Sequence, residues 1–418
     1  MITVGLDFGT HQTKVCIEDN EGVEVHYKFM KFKDETNELH YTLPSVICIC
    51  TDGKLQYGYI SDKTEGKIKR YFKQAVFHNY DSPGMSLYEA ACYSIWYIAY
   101  ILFDLEEQYG REFTVQMGAP TDGSKLDDMK AIAVTLLASA YNLVEEVFAN
   151  DKEAFLNTDI KTLVSKTTIL PFSYETKANY GILVFPEAYA CLMPMVEKGK
   201  LSKGISMMID IGGGTTDISF FNIENGQPNV FDFFSIDMGL NYLTDSDSIT
   251  SFRRRAGSEA QEFRFIDISK KNCFFNEIQK RCDSLVNRLL NEMKQQSNLN
   301  TSRLTNALQM RPLVYSGGGS MFSSLLTTYS GFREMHQITY DFWKSKLFDD
   351  KSLFYKSDLC PILSTAYGLS ISVVSDNIKR VSIHDLFENA RGAAEANKRR
   401  FGRDLDDFDY ALDWSARK

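Results

Sequence analysis

The sequence predicts an α/β protein built of two lobes, and three observations lead to this prediction. The chain has 418 residues, which is more than one ordinary hydrophobic core holds, so two lobes are expected. Alternating apolar residues indicate strands near the start of the chain and again after residue 205, with helical periodicity between them. Two similar segments, each a strand that ends in an aspartate before a glycine-containing turn, begin at Ile2 and Met208, about 200 residues apart.

We expect the first lobe to span residues 1–200 and the second lobe to span residues 201–375. Residues 376–418 form a charged C-terminal segment in which aromatic and leucine residues are scattered among the charges. Two interpretations of this segment stay open: an amphipathic helix docked on the core, or a tail that binds a partner protein.

The composition excludes several classes of function. The formal net charge of −9 argues against nucleic acid or an anionic membrane as the main partner. The most apolar stretch, residues 90–103, contains polar side chains and is too short to cross a membrane. The chain begins directly on a strand, so we expect no export signal and a cytoplasmic protein. In that compartment the eight cysteines are expected to be reduced, with a metal site or a disulfide as the alternative.

The glycine-containing turns carry the strongest chemical signal in the sequence. They read Asp7-Phe8-Gly9-Thr10 and Asp210-Ile211-Gly212-Gly213-Gly214-Thr215-Thr216-Asp217. Because glycine has no Cβ, such turns let backbone N–H groups come close to a ligand such as phosphate. Carboxylates beside the turns suit a divalent metal ion that is itself bound to phosphate. The two turns are therefore expected to face each other across one phosphate chain.

Five segments in this order resemble the actin-like ATPase superfamily, which includes actins, sugar kinases and the seventy-kilodalton heat-shock chaperones. They are two phosphate loops, two connecting helices and an adenosine loop. Beside the two turns above, the matching segments are Pro186-Glu187-Ala188-Tyr189-Ala190, Leu313-Val314-Tyr315-Ser316-Gly317-Gly318-Gly319-Ser320 and Thr365-Ala366-Tyr367-Gly368-Leu369. The resemblance implies that each lobe is a ribonuclease-H-like five-stranded mixed sheet with flanking helices. It also implies that a nucleotide binds in the cleft between the lobes.

Three shorter matches resemble the chaperone branch of this superfamily. They are Leu43-Pro44-Ser45-Val46-Ile47, Ile68-Lys69-Arg70, and the spacing of Glu277, Lys280, Arg281 and Ser284 on a predicted helix. In that branch the corresponding lysine reaches the γ-phosphate and the helix clamps the adenosine. Lys14 instead matches a basic residue that actins and sugar kinases place on the phosphates, and His11 with Gln12 replaces the family's usual Thr-Tyr. The periodicity predicts a helix over Lys67–Phe77.

The resemblance implies ATP or ADP and Mg²⁺ as ligands, and it assigns roles residue by residue. Asp7 and Asp210 would hold Mg²⁺, largely through water. Lys69 would stabilise charge on the phosphates, and the catalytic set would also include Glu187, Asp217 and the Thr215 hydroxyl, which orient the attacking water. The remaining nucleotide contacts would come from Gly9, Thr10, His11, Lys14, Gly212, Gly213, Gly214, Thr215, Thr216, Glu277, Lys280, Arg281, Ser284, Gly317, Gly318, Gly319 and Ser320.

Three functions fit these expectations. The first is a chaperone-like nucleotide switch that hydrolyses ATP and acts through protein partners bound by the tail or the upper lobes. We expect no C-terminal peptide-binding domain in it, because no β-rich segment follows residue 375. The second is an actin-like ATPase that forms filaments or scaffolds. A small-molecule kinase ranks last, and the switch ranks first because the short segment between Ser284 and Gly318 leaves little surface for stacking subunits.

Overall fold

The computed structural model describes residues 2–21, 24–61, 63–78, 85–110, 112–121, 125–197, 205–224, 227–243, 268–296, 301–337, 348–351, 353 and 359–373. The boundary near residue 200 and the charged segment 376–418 lie outside these residues. The limits of the lobes and the placement of the tail therefore stay predictions.

In the described residues of the N-terminal half, a run of strands comes first, and helices with two further strands follow up to the first connecting helix. They are β1 (Ile2–Asp7), β2 (Gln12–Glu21), β3 (Glu24–Phe29), β4 (Phe32–Lys33), β5 (Leu39–His40), β6 (Leu43–Pro44), β7 (Ile47–Cys50), β8 (Leu55–Tyr57), β9 (Gly66–Lys69), α1 (Phe72–His78), α2 (Leu87–Tyr109), β10 (Phe113–Ala119), α3 (Leu126–Asn142), α4 (Lys152–Leu156), α5 (Ile160–Lys166), α6 (Tyr174–Asn179), β11 (Leu183–Pro186) and α7 (Glu187–Glu197). A π-helical turn, Leu143–Val147, extends α3.

The described residues of the C-terminal half also form strands and helices. They are β12 (Ser206–Ile211), β13 (Thr216–Glu224), β14 (Gln227–Ile236), α8 (Leu240–Leu243), α9 (Ile268–Gln296), α10 (Thr301–Gln309), β15 (Leu313–Ser316), β16 (Met335–Gln337) and α11 (Cys360–Ser370). Two short 3₁₀ turns, Gly318–Met321 and Ser323–Leu325, follow β15.

The two halves contain sheets of the same topology. The first sheet has the order β11-β10-β1-β2-β3, and the second has the order β14-β13-β12-β15-β16. The first sheet differs from the expected five strands, because β6 pairs with β2 as a sixth strand outside this order. In each sheet the first three strands in sequence are antiparallel, and the last two run parallel to the first. This is the ribonuclease-H-like arrangement that the resemblance implied. The predicted fold class, an α/β protein with a mixed sheet in each half, is confirmed.

Each sheet has its own hydrophobic core, and a third cluster joins them. The central strands β1 and β12 are buried on both faces, as expected for strands with a parallel neighbour and helices on both sides. The third cluster brings Tyr27 of the first sheet and Met208 of the second onto Leu363 of α11. The eight cysteines are free thiols, and most of them are buried in these cores.

Helix α2 forms the centre of the first core. It begins with a capping box, in which Ser86 Oγ accepts a hydrogen bond from the Glu89 N–H (3.2 Å) and the Glu89 carboxylate accepts one from the Ser86 N–H (2.7 Å). The apolar stretch at residues 90–103 lies within this helix and is almost entirely buried. Among the described helices, none combines the length and apolar character that a membrane span requires.

The connecting helices α7 and α11 cross at a glycine. A Cβ atom on Gly368 would lie 1.7 Å from the carbonyl oxygen of Ala190, so only glycine allows this approach. Pro194, four residues after Ala190, has no N–H with which to bond that carbonyl inside α7. Helix α11 also lies against Gly5 of β1. The crossing therefore holds both connecting helices close to the first sheet.

The segment before α1 differs from the predicted helix over Lys67–Phe77. Residues Gly66–Lys69 form strand β9, which pairs with β7, and the helix begins only at Phe72. Tyr71 between them has a left-handed backbone (φ 62°), which breaks any continuous helix. Pairing with a distant strand has overridden the local helical periodicity.

Candidate functional site

A cavity of about 120 Å³ lies between the two glycine-containing turns. Strands β1 and β12 hold the same position in their sheets, so Asp7 and Asp210 near their ends face the same cleft. The cavity is lined by Asp7, Gly9, Thr10, His11, Gln12, Lys14, Lys73, Glu187, Asp210, Gly212, Gly213, Gly214, Thr215, Asp217, Leu240, Gly317, Gly318, Pro361, Ile362 and Thr365. Most of the residues that the sequence singled out are thus brought together.

In the first turn, Asp7 is paired with Lys14. The two residues are opposite each other in the β1–β2 ladder, and Lys14 Nζ lies 2.8 Å from Asp7 Oδ2. Lys14 also donates a hydrogen bond to the carbonyl of Gln12 (3.2 Å). The turn is closed by the Gly9 N–H, which donates to the Asp7 carbonyl (3.1 Å). The carboxylate of Asp7 therefore has its counter-charge within the same hairpin.

In the second turn, Asp210 is opposite another carboxylate, Asp217. Burial and the nearby charges of Glu187 and Asp7 raise the pKa of Asp210 to about 7, although Lys14 and Lys73 oppose this shift. Burial also raises the pKa of Asp217 well above its ordinary value, against a hydrogen bond from Ser235. Within the described part of the chain, Asp217 Oδ1 has no hydrogen-bond partner. The second turn thus places two carboxyl groups opposite each other, with no lysine or arginine in its own sequence.

Glu187, at the start of α7, is held by a lysine that the sequence analysis missed. Lys73 Nζ lies 2.6 Å from Glu187 Oε1, and the Lys73 side chain is only 6% exposed. Lys69, which was predicted for the phosphates, does not line the cavity, and its Nζ lies 5.8 Å from the centre of the Tyr93 ring. A signal for Lys73 existed in the sequence, because it is a lone cation in the otherwise mostly apolar segment Phe72–Phe77.

The turn after β15 completes the cavity wall. Gly317 has a left-handed backbone (φ 77°), and a Cβ at this position would lie 2.2 Å from Asp210 Oδ1. Only glycine therefore lets the chain pass so close to that carboxylate. Gly318 also lines the cavity, whereas Gly319 packs on Ile211 and Ser320 donates from Oγ to the Gly317 carbonyl (2.8 Å). Two of the four predicted residues face the cavity, and the other two support the turn.

The residues predicted to clamp adenosine do not line this cavity. On α9, Arg281 donates from Nε to Glu277 (2.8 Å), and its guanidinium carbon lies 5.3 Å from the centre of the Phe234 ring. The Lys280 side chain is 71% exposed, and Ser284 is exposed as well. Thr216 is also absent from the lining, since its hydroxyl donates to the Met238 carbonyl (2.7 Å). None of these five residues lines the cavity between the glycine turns.

The donor set fits a divalent cation bound together with phosphate. Four carboxylates (Asp7, Glu187, Asp210 and Asp217) and two lysines (Lys14 and Lys73) line the cavity among the described residues. Burial raises the pKa of Asp210 and Asp217, and neighbouring carboxylates add to the shift. A hard cation such as Mg²⁺ would favour the ionised carboxylates by binding to their oxygens. The lysines and the glycine turns beside them suit the oxygens of a phosphate chain.

The structure thus combines two mixed sheets of the same order, two crossed helices and a carboxylate-lined cavity between the glycine turns. No protein-family model matches this chain, and no curated protein matches it. One similar solved structure is Ta0583, an archaeal actin homolog in complex with ADP, with 16% identity and a TM-score of 0.40 over 89% of this chain and 100% of that chain. Another is MreB 5 of Spiroplasma citri bound to AMPPNP, with 14% identity and a TM-score of 0.41 over 87% of this chain and 94% of that chain. Similarity this distant does not define a function.

Proposed function

We propose that this protein binds ATP together with Mg²⁺ in the interlobe cleft and hydrolyses it. One observation carries the proposal: the two glycine turns and the ion-paired lysines converge with four carboxylates on a single cavity. Phosphoryl transfer needs neutralisation of charge and correct placement of the nucleophile more than it needs covalent chemistry. A cavity with this charge pattern supplies both requirements.

Each lining residue then has a chemical task. Asp7 and Asp210 hold Mg²⁺, which supplies neutralising charge on the phosphates when it is bound. Glu187 and Asp217 accept hydrogen bonds from the attacking water, and Lys73 keeps Glu187 in place through the 2.6 Å ion pair. Lys73, rather than Lys69, is the residue that we assign to the phosphate charge on this side of the cavity.

The proposed uses of the activity correspond to different branches of the superfamily, so we compare the site residues that match each branch. Two features that favoured the chaperone branch, Lys69 and the α9 residue Arg281, do not line the cavity. Lys14, the feature shared with actins and sugar kinases, lies in the cavity against Asp7. This contrast favours a second, more specific proposal: ATP controls the assembly of this protein into filaments or scaffolds. A chaperone-like switch that acts through protein partners ranks behind it.

The test of ATP binding and hydrolysis compares two lysines four residues apart. Saturating MgATP at a hundred times its dissociation constant stabilises the folded protein by about 2.7 kcal/mol, which a thermal shift assay detects. We expect Lys73→Ala to slow single-turnover hydrolysis by about tenfold or more, since a charge that stabilises the transition state is lost. Lys69→Ala is the matched control and is expected to behave like the wild type. No thermal shift together with no calorimetric heat of binding contradicts the proposal.

Assembly is tested separately by sedimentation. Protein at tens of micromolar is centrifuged with MgATP, with MgADP and without nucleotide, and the pellet is quantified. We expect a pellet that forms with MgATP and disappears as ATP is consumed. If the protein stays in the supernatant while it hydrolyses ATP, the chaperone-like switch becomes the favoured proposal.

A further inference from the structure

The side chain of His11 lies directly between the two glycine turns. It belongs to the first turn, is 8% exposed, and lines the cavity. Across the cleft it meets Gly213 of the second turn so closely that a Cβ on Gly213 would lie 2.3 Å from His11 Cδ2 and 2.6 Å from Cγ. The imidazole ring therefore packs against the backbone at Gly213, in the gap between the two turns.

The backbone of His11 is fixed by the first lobe. The Ser45 N–H donates to the His11 carbonyl (2.8 Å), and Ser45 Oγ donates to the Gly9 carbonyl (2.6 Å). The Tyr71 ring lies with its centre 6.0 Å from the centre of the imidazole. Because the turn itself is anchored, clearing the gap requires a change in the His11 side chain or a separation of the lobes.

Two further side chains of the first lobe close on the second turn. A Cβ on Gly214 would lie 2.9 Å from Gln74 Oε1 and 3.2 Å from Thr10 Cγ2. The cavity at this point has a volume of only about 120 Å³, whereas pockets for small-molecule ligands have roughly 300–1,000 Å³. The cleft is therefore narrow at the point where both glycine turns would meet a phosphate chain.

We propose that the imidazole of His11 fills the passage of the phosphate chain, and that ATP enters only after this ring has left Gly213. The inference rests on the proposed function. It makes His11 a gating residue, which controls how fast and how tightly nucleotide binds, in addition to lining the site. The fraction of molecules with the ring displaced then sets the apparent affinity, because a ligand that binds only the open state has its dissociation constant divided by that fraction.

The experiment measures the association rate and the dissociation constant of MgATP for the full chain by stopped-flow and calorimetry. If about a tenth of the wild-type molecules are open, His11→Ala raises both the association rate and the affinity by about tenfold. His11→Phe retains a ring of similar size without its nitrogen atoms, so we expect association no faster than in the wild type. His40→Ala is the control, since His40 is a poorly exposed histidine of the first lobe, paired with Asp34 and absent from the cavity lining.

The other outcomes are distinct. Weaker binding in both His11→Ala and His11→Phe means that the imidazole is a ligand of the phosphates and overturns the gate. Equal association rates in the wild type and His11→Ala also overturn it, while ATP binding itself stands. If neither protein binds MgATP, the proposed function fails together with the gate. A melting temperature for each variant confirms that it is folded.

Discussion

The two glycine turns occupy equivalent positions in two sheets of the same topology, but their charges differ. In the first turn, the residue opposite Asp7 is Lys14, and the two form an ion pair of 2.8 Å. In the second turn, the residue opposite Asp210 is Asp217, and burial together with neighbouring acids raises the pKa of both carboxyl groups. The two turns therefore share a backbone arrangement but differ in the charge of the residue opposite the aspartate.

The charge of the aspartate in the first turn is therefore neutralised within its own hairpin, whereas the charge of the aspartate in the second turn is not. The cations that act on Asp210 are Lys14 and Lys73, and both come from the N-terminal half of the chain. The second turn therefore obtains its counter-charge across the cleft, or from a metal ion. Approach of the two lobes and neutralisation of Asp210 are for this reason coupled.

The largest effect is expected when the aspartate of either turn is replaced, and the two replacements should change the melting temperature in opposite directions. Asp210→Asn is expected to slow hydrolysis by about a hundredfold or more, because charge stabilisation at the reacting phosphate is lost. In the same variant the metal-free protein should melt at a higher temperature, since an unbalanced buried carboxylate is gone. Asp7→Asn should instead lower the melting temperature, because it leaves Lys14 without its partner. The measurements are single-turnover hydrolysis with Mg²⁺ and thermal unfolding in EDTA. Equal melting shifts for the two variants would show that the turns are electrostatically alike.

A smaller effect is expected when the first turn is made to resemble the second. Lys14→Met leaves the Asp7 carboxylate without its hydrogen-bonded partner, so we expect a loss of about 2 kcal/mol in the free energy of unfolding without metal. Mg²⁺ should restore more stability to this variant than to the wild type. Denaturant unfolding with and without Mg²⁺ checks this, and Lys54→Met, which changes a lysine outside the cavity lining, is the control. The same Mg²⁺ response in all three proteins contradicts the prediction.

The last effect is a dependence of stability on pH, which is modest for each pH unit and accumulates over the range. In the folded metal-free protein the pKa of the Asp210 carboxyl group is about 7, whereas in the unfolded chain it is near 3.8. The folded state thus binds more protons between these values, so stability falls as pH rises from about 4 to 7, by at most about 1.4 kcal/mol per pH unit for one proton. Unfolding measured at several pH values in EDTA should show this slope. Asp210→Asn should reduce it, and an unchanged slope in that variant assigns the effect elsewhere.

The fold and the two turns could be predicted because their signals are local. An aspartate at a strand end, followed by glycines and a second strand, specifies a hairpin whose residues are adjacent in sequence. The order of such segments resembles a known superfamily, and that resemblance implied the sheet topology. The structure brings Asp7, Asp210 and Glu187 to one cavity.

The lysine and the adenosine contacts could not be predicted in this way. Lys69 and Lys73 would share one face of a continuous helix, but β9 pairs with β7 and the chain turns at Tyr71, so only Lys73 reaches Glu187. Arg281 has the expected helical spacing from Glu277, yet its guanidinium lies beside Phe234 of a different segment. In both cases a partner far away in sequence decides where the side chain goes.

The crossing of α7 and α11 has a consequence for how related sequences would be interpreted. At position 368 a single methyl group would overlap a carbonyl oxygen of the other connecting helix, so selection should keep glycine there as strictly as at any residue that contacts a ligand. An alignment of relatives would then rank Gly368 among the functional positions, although it does not line the cavity. Invariance at this position would record the distance between two helices and nothing about chemistry.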